Sequence, residues 1–173
     1  MKDWTADKRW SDKFLPQIKR ILGEQLIGEP PLEEDQEHGT DLIVLKMDAV
    51  RIGCRVRRHE YLARYGDEFT IRKGRPNGTK TELTKIIEGW GDYFFYGFSN
   101  EEETALARWF LGDLKALRLF INRGLYRAAL PAAVGKWPWT ERNNVDGSSN
   151  FACFRHAGIP GFVVATSDAV FVQ

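Results

Sequence analysis

Residues Gly39 to Arg72, GTDLIVLKMDAVRIGCRVRRHEYLARYGDEFTIR, decide how this chain is read. They hold three runs of strand character: Leu42 to Leu45, apolar and opened by Asp41; Val50 to Val56, alternating; and Glu68 to Arg72, short and β-rich. The expectation is three consecutive strands of one sheet. Alternation in the second run sets Val50, Ile52, Cys54 and Val56 against Arg51, Arg55 and Arg57, because successive side chains of a strand point to opposite faces. Arg55 and Arg57 therefore project together, and pairing of the first two strands brings Asp41 to the end of their row. Such a face suits phosphate, with a carboxylate at its edge; a charged face kept in water for solubility has the same pattern.

Upstream, Trp10, Phe14, Ile18, Ile21, Leu22 and Leu26 fall at helical spacing, which predicts a helix over about 11–27 with Pro16 in its first turns. Gly28, Pro30 and Pro31 stop it, and a polar loop over 29–40 leads to Asp41. Downstream, KGRPNGTK (73–80) is a basic turn cluster, and TELTKIIEGW (81–90) predicts a helix with Leu83, Ile86, Ile87 and Trp90 on its apolar side. Tyr93 to Phe98 is aromatic, short and bounded by turn residues, as a central core strand is. The next stretch reads as a helix or helix pair over 101–123, with WFLGDL (109–114) as an alternative strand ahead of a helix at Leu114. A short helix over 125–134 and a long loop over 136–150 follow, and FACFRHAGI and FVVATS make two closing strands. In that loop Trp137 and Trp139 read either as an exposed contact pair or as packed anchors.

The order α, β, β, β, α, β, α, β, β predicts a single α/β domain over residues 1–173, with one central mixed sheet flanked by helices. A length of 173 residues supports one full core without metal or disulfides. Cys54 and Cys153 lie in apolar runs without CxxC spacing and read as reduced core residues. No apolar run reaches the roughly 20 residues of a bilayer span and the first ten residues lack a secretory core, so the expected setting is the cytoplasm, away from membranes.

A net charge of +1 hides an asymmetry: Glu24 to Asp41 holds seven acids and no Lys or Arg, whereas Lys46 to Arg75 holds nine bases and four acids. Carboxylates for cations beside arginines for phosphate is the division a metal-dependent nuclease would use, and a self-neutralising surface has the same pattern. Phosphate-loop, dinucleotide, zinc-protease and α/β-hydrolase motifs are missing, and His38, His59 and His156 have no ligand spacing.

A helix bearing Glu24, an acidic loop, Asp41 opening a strand after Gly-Thr, and a charged strand a dozen residues on resemble the PD-(D/E)XK nuclease-like superfamily, in a phage or mobile-element form. The resemblance covers residues 11 to 98 and implies a restriction-endonuclease-like core, α-β-β-β-α-β, to which this chain adds a helix and a hairpin. It implies Asp41 and Glu24 as metal ligands. The strand that should carry Glu-x-Lys reads Gly53-Cys54-Arg55-Val56-Arg57 and has no acid. A migrated acid, as some members have on the following helix, falls on Glu82, with Lys85 three residues on and Arg55 or Arg57 in place of the lysine; Asp67 or Glu68 is an alternative second ligand.

Two functions follow. In the first, Asp41, Glu82 and Glu24 hold Mg²⁺, and with Lys85 and Arg55 support an endonuclease or exonuclease acting on DNA. In the second, the fold is catalytically inactive and binds nucleic acid, a protein partner or a second copy of itself, as a phage accessory or anti-defence protein does. The cations expected to meet nucleic acid are Arg55, Arg57, Arg72, Lys73, Arg75 and Lys80.

Overall fold

Pro16 divides what apolar spacing alone would make one helix. Its ring clashes with the carbonyl four residues back, at Asp12, and it has no N–H to give. In the computed structural model, which describes residues 4–28, 43–44, 50–128, 138–144 and 146–167, the chain accordingly forms α1 (Trp4–Asp12), turns at Lys13 and Phe14, and restarts as α2 (Leu15–Leu26). Phe14, Ile18 and Ile21 keep the predicted stripe and are buried, but Trp10 belongs to the earlier helix.

The three runs of the opening stretch do not share a sheet. Ile43–Val44 (β2) pairs antiparallel with Ile27–Gly28 (β1). Ile52–Arg57 (β3) is the edge of a four-stranded sheet whose other members are Tyr93–Ser99 (β5), Leu106–Asp113 (β6) and Val163–Thr166 (β9), in the order β3-β5-β6-β9. Glu68–Gly74 (β4) lies in a three-stranded antiparallel sheet with Asn150–Arg155 (β8) and Thr140–Asn143 (β7), in the order β4-β8-β7. Between β3 and β4 a 3-10 turn (His59–Tyr61) and α3 (Leu62–Tyr65) carry the chain from one sheet to the other. The change of sheet has a hydrophobic cause: Phe69 and Ile71 of β4 are wholly buried, and the Phe69 ring centroid lies 6.2 Å from Tyr96 and 5.7 Å from Phe110 of the first sheet.

The fold is thus mixed α/β, but around two main sheets. β3 and β5 run parallel, and β5, β6 and β9 antiparallel. β5 is buried along Phe94–Ser99 because it is covered on both faces, the condition under which a strand reads as a continuous apolar run. On one face, Phe95, Val56 and Leu111 pack against Phe14, Ile18 and Ile21 of the helical pair. On the other, Phe94, Tyr96, Phe98 and Phe110 meet β4, β8, α4 (Glu82–Ile87) and α5 (Leu114–Ala128). Gly112 allows a close approach there, since a Cβ on it would stand 2.3 Å from the Phe162 ring.

Several further expectations change. Of the two readings of 101–123 the alternative holds: Trp109–Asp113 is the end of β6, and α5 begins at Leu114. The closing pair of strands is no hairpin, as β8 joins the second sheet and β9 the first; the hairpin is instead β7–β8, closed by a turn with Gly147 at φ +68°. Trp139 is buried at 8% exposure against Phe154, a packed anchor, and Trp137 lies outside the described residues. Cys153 is buried, but Cys54 is exposed on the edge strand. Among the described residues, no helix is long and apolar enough to cross a membrane.

Candidate functional site

Arg55 and Arg57 do project from the same side of β3, and both reach one residue of β4. Arg55 Nη1 donates to the Thr70 carbonyl at 2.7 Å, and Arg57 Nη1 donates to Thr70 Oγ1 at 3.1 Å. The guanidinium row is therefore half-buried at the rim of the gap between the sheets, not spread over an open face. From Thr70 the two side chains part. Arg57 lies over the Tyr61 ring, 4.4 Å from its centroid. Arg55 Nη2 donates to Glu82 Oε2 at 2.6 Å, and the same oxygen accepts from the Arg72 backbone N–H at 3.1 Å.

Glu82 is in the first turn of α4, and the chain reaches it through a tightly held connection. The turn after β4 closes with the Gly78 N–H donating to the Arg75 carbonyl at 3.2 Å, Gly78 being at φ +69°. Asn77 Oδ1 accepts from the N–H and hydroxyl of Thr79, the local side-chain bond that makes Asn a turn residue. The buried Thr81 hydroxyl then donates to the Lys73 carbonyl at 2.8 Å, tying the start of α4 to the end of β4.

These elements enclose a groove of about 450 Å³, within the range of small-ligand sites. Arg55, Arg72, Arg75, Lys80 and Lys85 line it with a single carboxylate, Glu82, while the buried Ile86, Phe94 and Leu114 form its base. Lys80 is paired with Glu88 at 2.7 Å. Neither Arg75 nor Lys85 is in an ion pair among the described residues. Burial pushes the Arg72 guanidinium below its ordinary value, the neighbouring Arg75 and Arg55 push it further the same way, and Glu82 opposes them. Arg72 Nε is buried without a hydrogen-bond partner among the described residues. The Arg72 guanidinium lies over the Phe151 ring of β8, 5.7 Å from its centroid. Chemically, such a set of forked guanidinium and ammonium groups suits an anion with several acceptor oxygens.

Of the cations expected at a nucleic acid, Arg55, Arg72, Arg75 and Lys80 meet in the groove, and Lys85, expected in catalysis, joins them. Arg57 is turned to Thr70 and Tyr61, and Lys73 pairs with Glu141 of β7. The acids do not gather. Glu24 is exposed on α2, and α2 and α4 pack against opposite faces of the four-stranded sheet. Asp41 lies outside the described residues. Glu68 is paired with Arg142 at 2.8 Å, and Asp67 faces Arg108 at 3.5 Å. Among the described residues no three His, Cys, Asp or Glu side chains cluster as a metal site, and the Mg²⁺ implied by the resemblance would find only Glu82 in the groove. The described residues alone do not make that site.

One lining residue escaped the sequence pattern. Trp90 continues the helical spacing of Leu83, Ile86 and Ile87, yet α4 ends at Ile87 and Trp90 is 64% exposed at the groove. The sequence ends this helix at Gly89 and Gly91, and Gly89 does stand at φ +97°, so Trp90 lies past the helix whose apolar spacing it continues. In comparisons with known proteins, no family model, no curated protein and no solved structure matches this chain.

Proposed function

We propose that the groove between β3, β4 and α4 binds the sugar-phosphate backbone of a nucleic acid, without hydrolysing it. The observation that carries this reading is the convergence of Arg55, Arg72, Arg75, Lys80 and Lys85 around one carboxylate that is itself held by Arg55. Repeated phosphates match such a row of cations, and each one neutralised releases condensed counterions into solution. The inactive form of the resemblance fits better than the nuclease form because Glu82 Oε2 already accepts two hydrogen bonds and has no second described acid beside it in the groove. An acidic protein partner is the competing occupant of the same charges.

The test is oligonucleotide affinity as a function of salt. Each backbone contact contributes a slope of about −0.7 on a single strand and about −0.9 on a duplex in log affinity against log salt. Arg75→Gln with Lys85→Gln should flatten the slope by about two contacts with little dependence on base sequence, since phosphate contacts position without specifying. Lys73→Gln, which changes charge outside the groove, should leave it unchanged. No oligonucleotide binding at low salt, or equal slopes for all three proteins, would remove the nucleic-acid reading and leave the acidic protein partner. Cleavage of the oligonucleotide on addition of Mg²⁺ would restore the nuclease form.

A further inference from the structure

Trp90 is the part of the groove that charge does not explain. A tryptophan side chain buries about 150–250 Å² when packed, so leaving the indole 64% exposed forgoes stabilisation that the same helix obtains from Leu83 and Ile86. Its place is built. Past α4 the Gly89 N–H donates to the Ile86 carbonyl at 3.0 Å and the Trp90 N–H to the Lys85 carbonyl at 3.0 Å. With Gly89 in the left-handed region, this paired closure is the Schellman arrangement. Gly91, at φ +81°, then turns the chain into β5. Trp90 is thus held between two glycines at the groove that Arg72, Arg75 and Lys85 also line, and no described ring or cation stacks on it.

We propose that the groove takes a single-stranded nucleic acid, with a base stacked on the Trp90 indole and the adjoining phosphates held by Arg72, Arg75 and Lys85. The proposal rests on the backbone-binding reading above and adds the strandedness of the ligand. An exposed indole beside a cationic track is the pairing that unstacked bases use, because every base has a π-face and stacking tolerates any sequence. A duplex keeps those faces inside its own stack, and an acidic peptide has none to offer.

The experiment compares three probes of equal length at one low salt concentration: oligothymidylate, the same chain without bases, and a duplex. Wild-type protein should bind oligothymidylate about tenfold more tightly than the abasic chain, and more tightly than the duplex. Trp90→Ala should lower affinity for oligothymidylate about tenfold more than affinity for the abasic chain, and Trp90→Phe should recover most of the loss. Equal binding of oligothymidylate and abasic chain by wild type, an equal loss on both in Trp90→Ala, or preference for the duplex would each overturn the stacking proposal while leaving backbone binding intact. Failure of all three probes to bind would overturn both.

Discussion

Glu82 Oε2 accepts from Arg55 at 2.6 Å and from the Arg72 backbone N–H at 3.1 Å, so this carboxylate restrains two of the groove's arginines. Its charge also opposes an incoming phosphate. Glu82→Gln keeps an acceptor for the backbone N–H but releases Arg55 from its ion pair, and half-exposed pairs of this kind are worth about 0.2–1 kcal/mol. The variant should therefore stay folded and bind oligonucleotide a few-fold more tightly, measured by titration at fixed salt. A metal-dependent nuclease would behave in the opposite way, losing Mg²⁺-dependent cleavage with no gain in affinity. Part of this site was legible residue by residue: strand alternation puts Arg55 and Arg57 on one side of β3, helical spacing puts Glu82 and Lys85 on a common side of α4, and the basic turn cluster supplies Arg75 and Lys80. The Arg55–Glu82 ion pair was not foreseen, since the resemblance offered Glu82 as a metal ligand. The final directions of Arg57, Lys73 and Trp90 were not legible either, because they depend on Thr70, on Glu141 of a distant strand, and on where a helix stops.

At the scale of elements, periodicity identifies strands better than it identifies their neighbours. β3, β4 and β5 lie close to where alternation and apolar runs put them, whereas β7 (TERN) is exposed along its whole length and has no apolar signal to betray it. Sheet membership is set by contacts far apart in sequence, which no local pattern reports. Phe69 illustrates this: its ring centroid lies 5.3 Å from Phe154 and 4.8 Å from Phe162, late in the chain, and 6.3 Å from Phe94 in the middle. Phe69→Ala should cost about 3–5 kcal/mol on chemical denaturation, the usual range for emptying a buried aromatic site. Gly112→Ala tests the same junction from the other side. Its Cβ would overlap the Phe162 ring, and a loss of about 1–3 kcal/mol is expected from overpacking. A neutral Gly112→Ala would mean that Phe162 moves aside freely and that this junction is not tightly packed.

For the whole molecule, the groove depends on the sheets, and the first sheet depends on its helical cover, which is fastened by a polar cluster at one end. Trp10 Nε1 donates to Glu103 Oε2 at 2.5 Å, Arg58 just past β3 pairs with Glu103 Oε1, and Lys13 reaches the same carboxylate at 3.4 Å. The Arg58 guanidinium also stands over the Trp10 ring, 4.5 Å from its centroid. Glu103 is held in the left-handed region at φ 55°, an uncommon conformation for a non-glycine residue, by a turn in which its N–H donates to the Asn100 carbonyl at 3.1 Å. The Trp10 hydrogen bond, with help from Arg58 and Lys13, holds the Glu103 carboxyl below its ordinary value. A carboxyl whose folded value is depressed adds stability that is complete above the unfolded value of about 4.3 and disappears as pH falls through the lower, folded value. Melting temperatures of wild type and Glu103→Gln should accordingly differ most near neutral pH, with the wild type higher, and converge as the solution is acidified below about pH 4. A gap that stays constant down to strong acid would show that the ionised carboxylate does not fasten the helices, and that Trp10 and Phe14 hold them by packing alone.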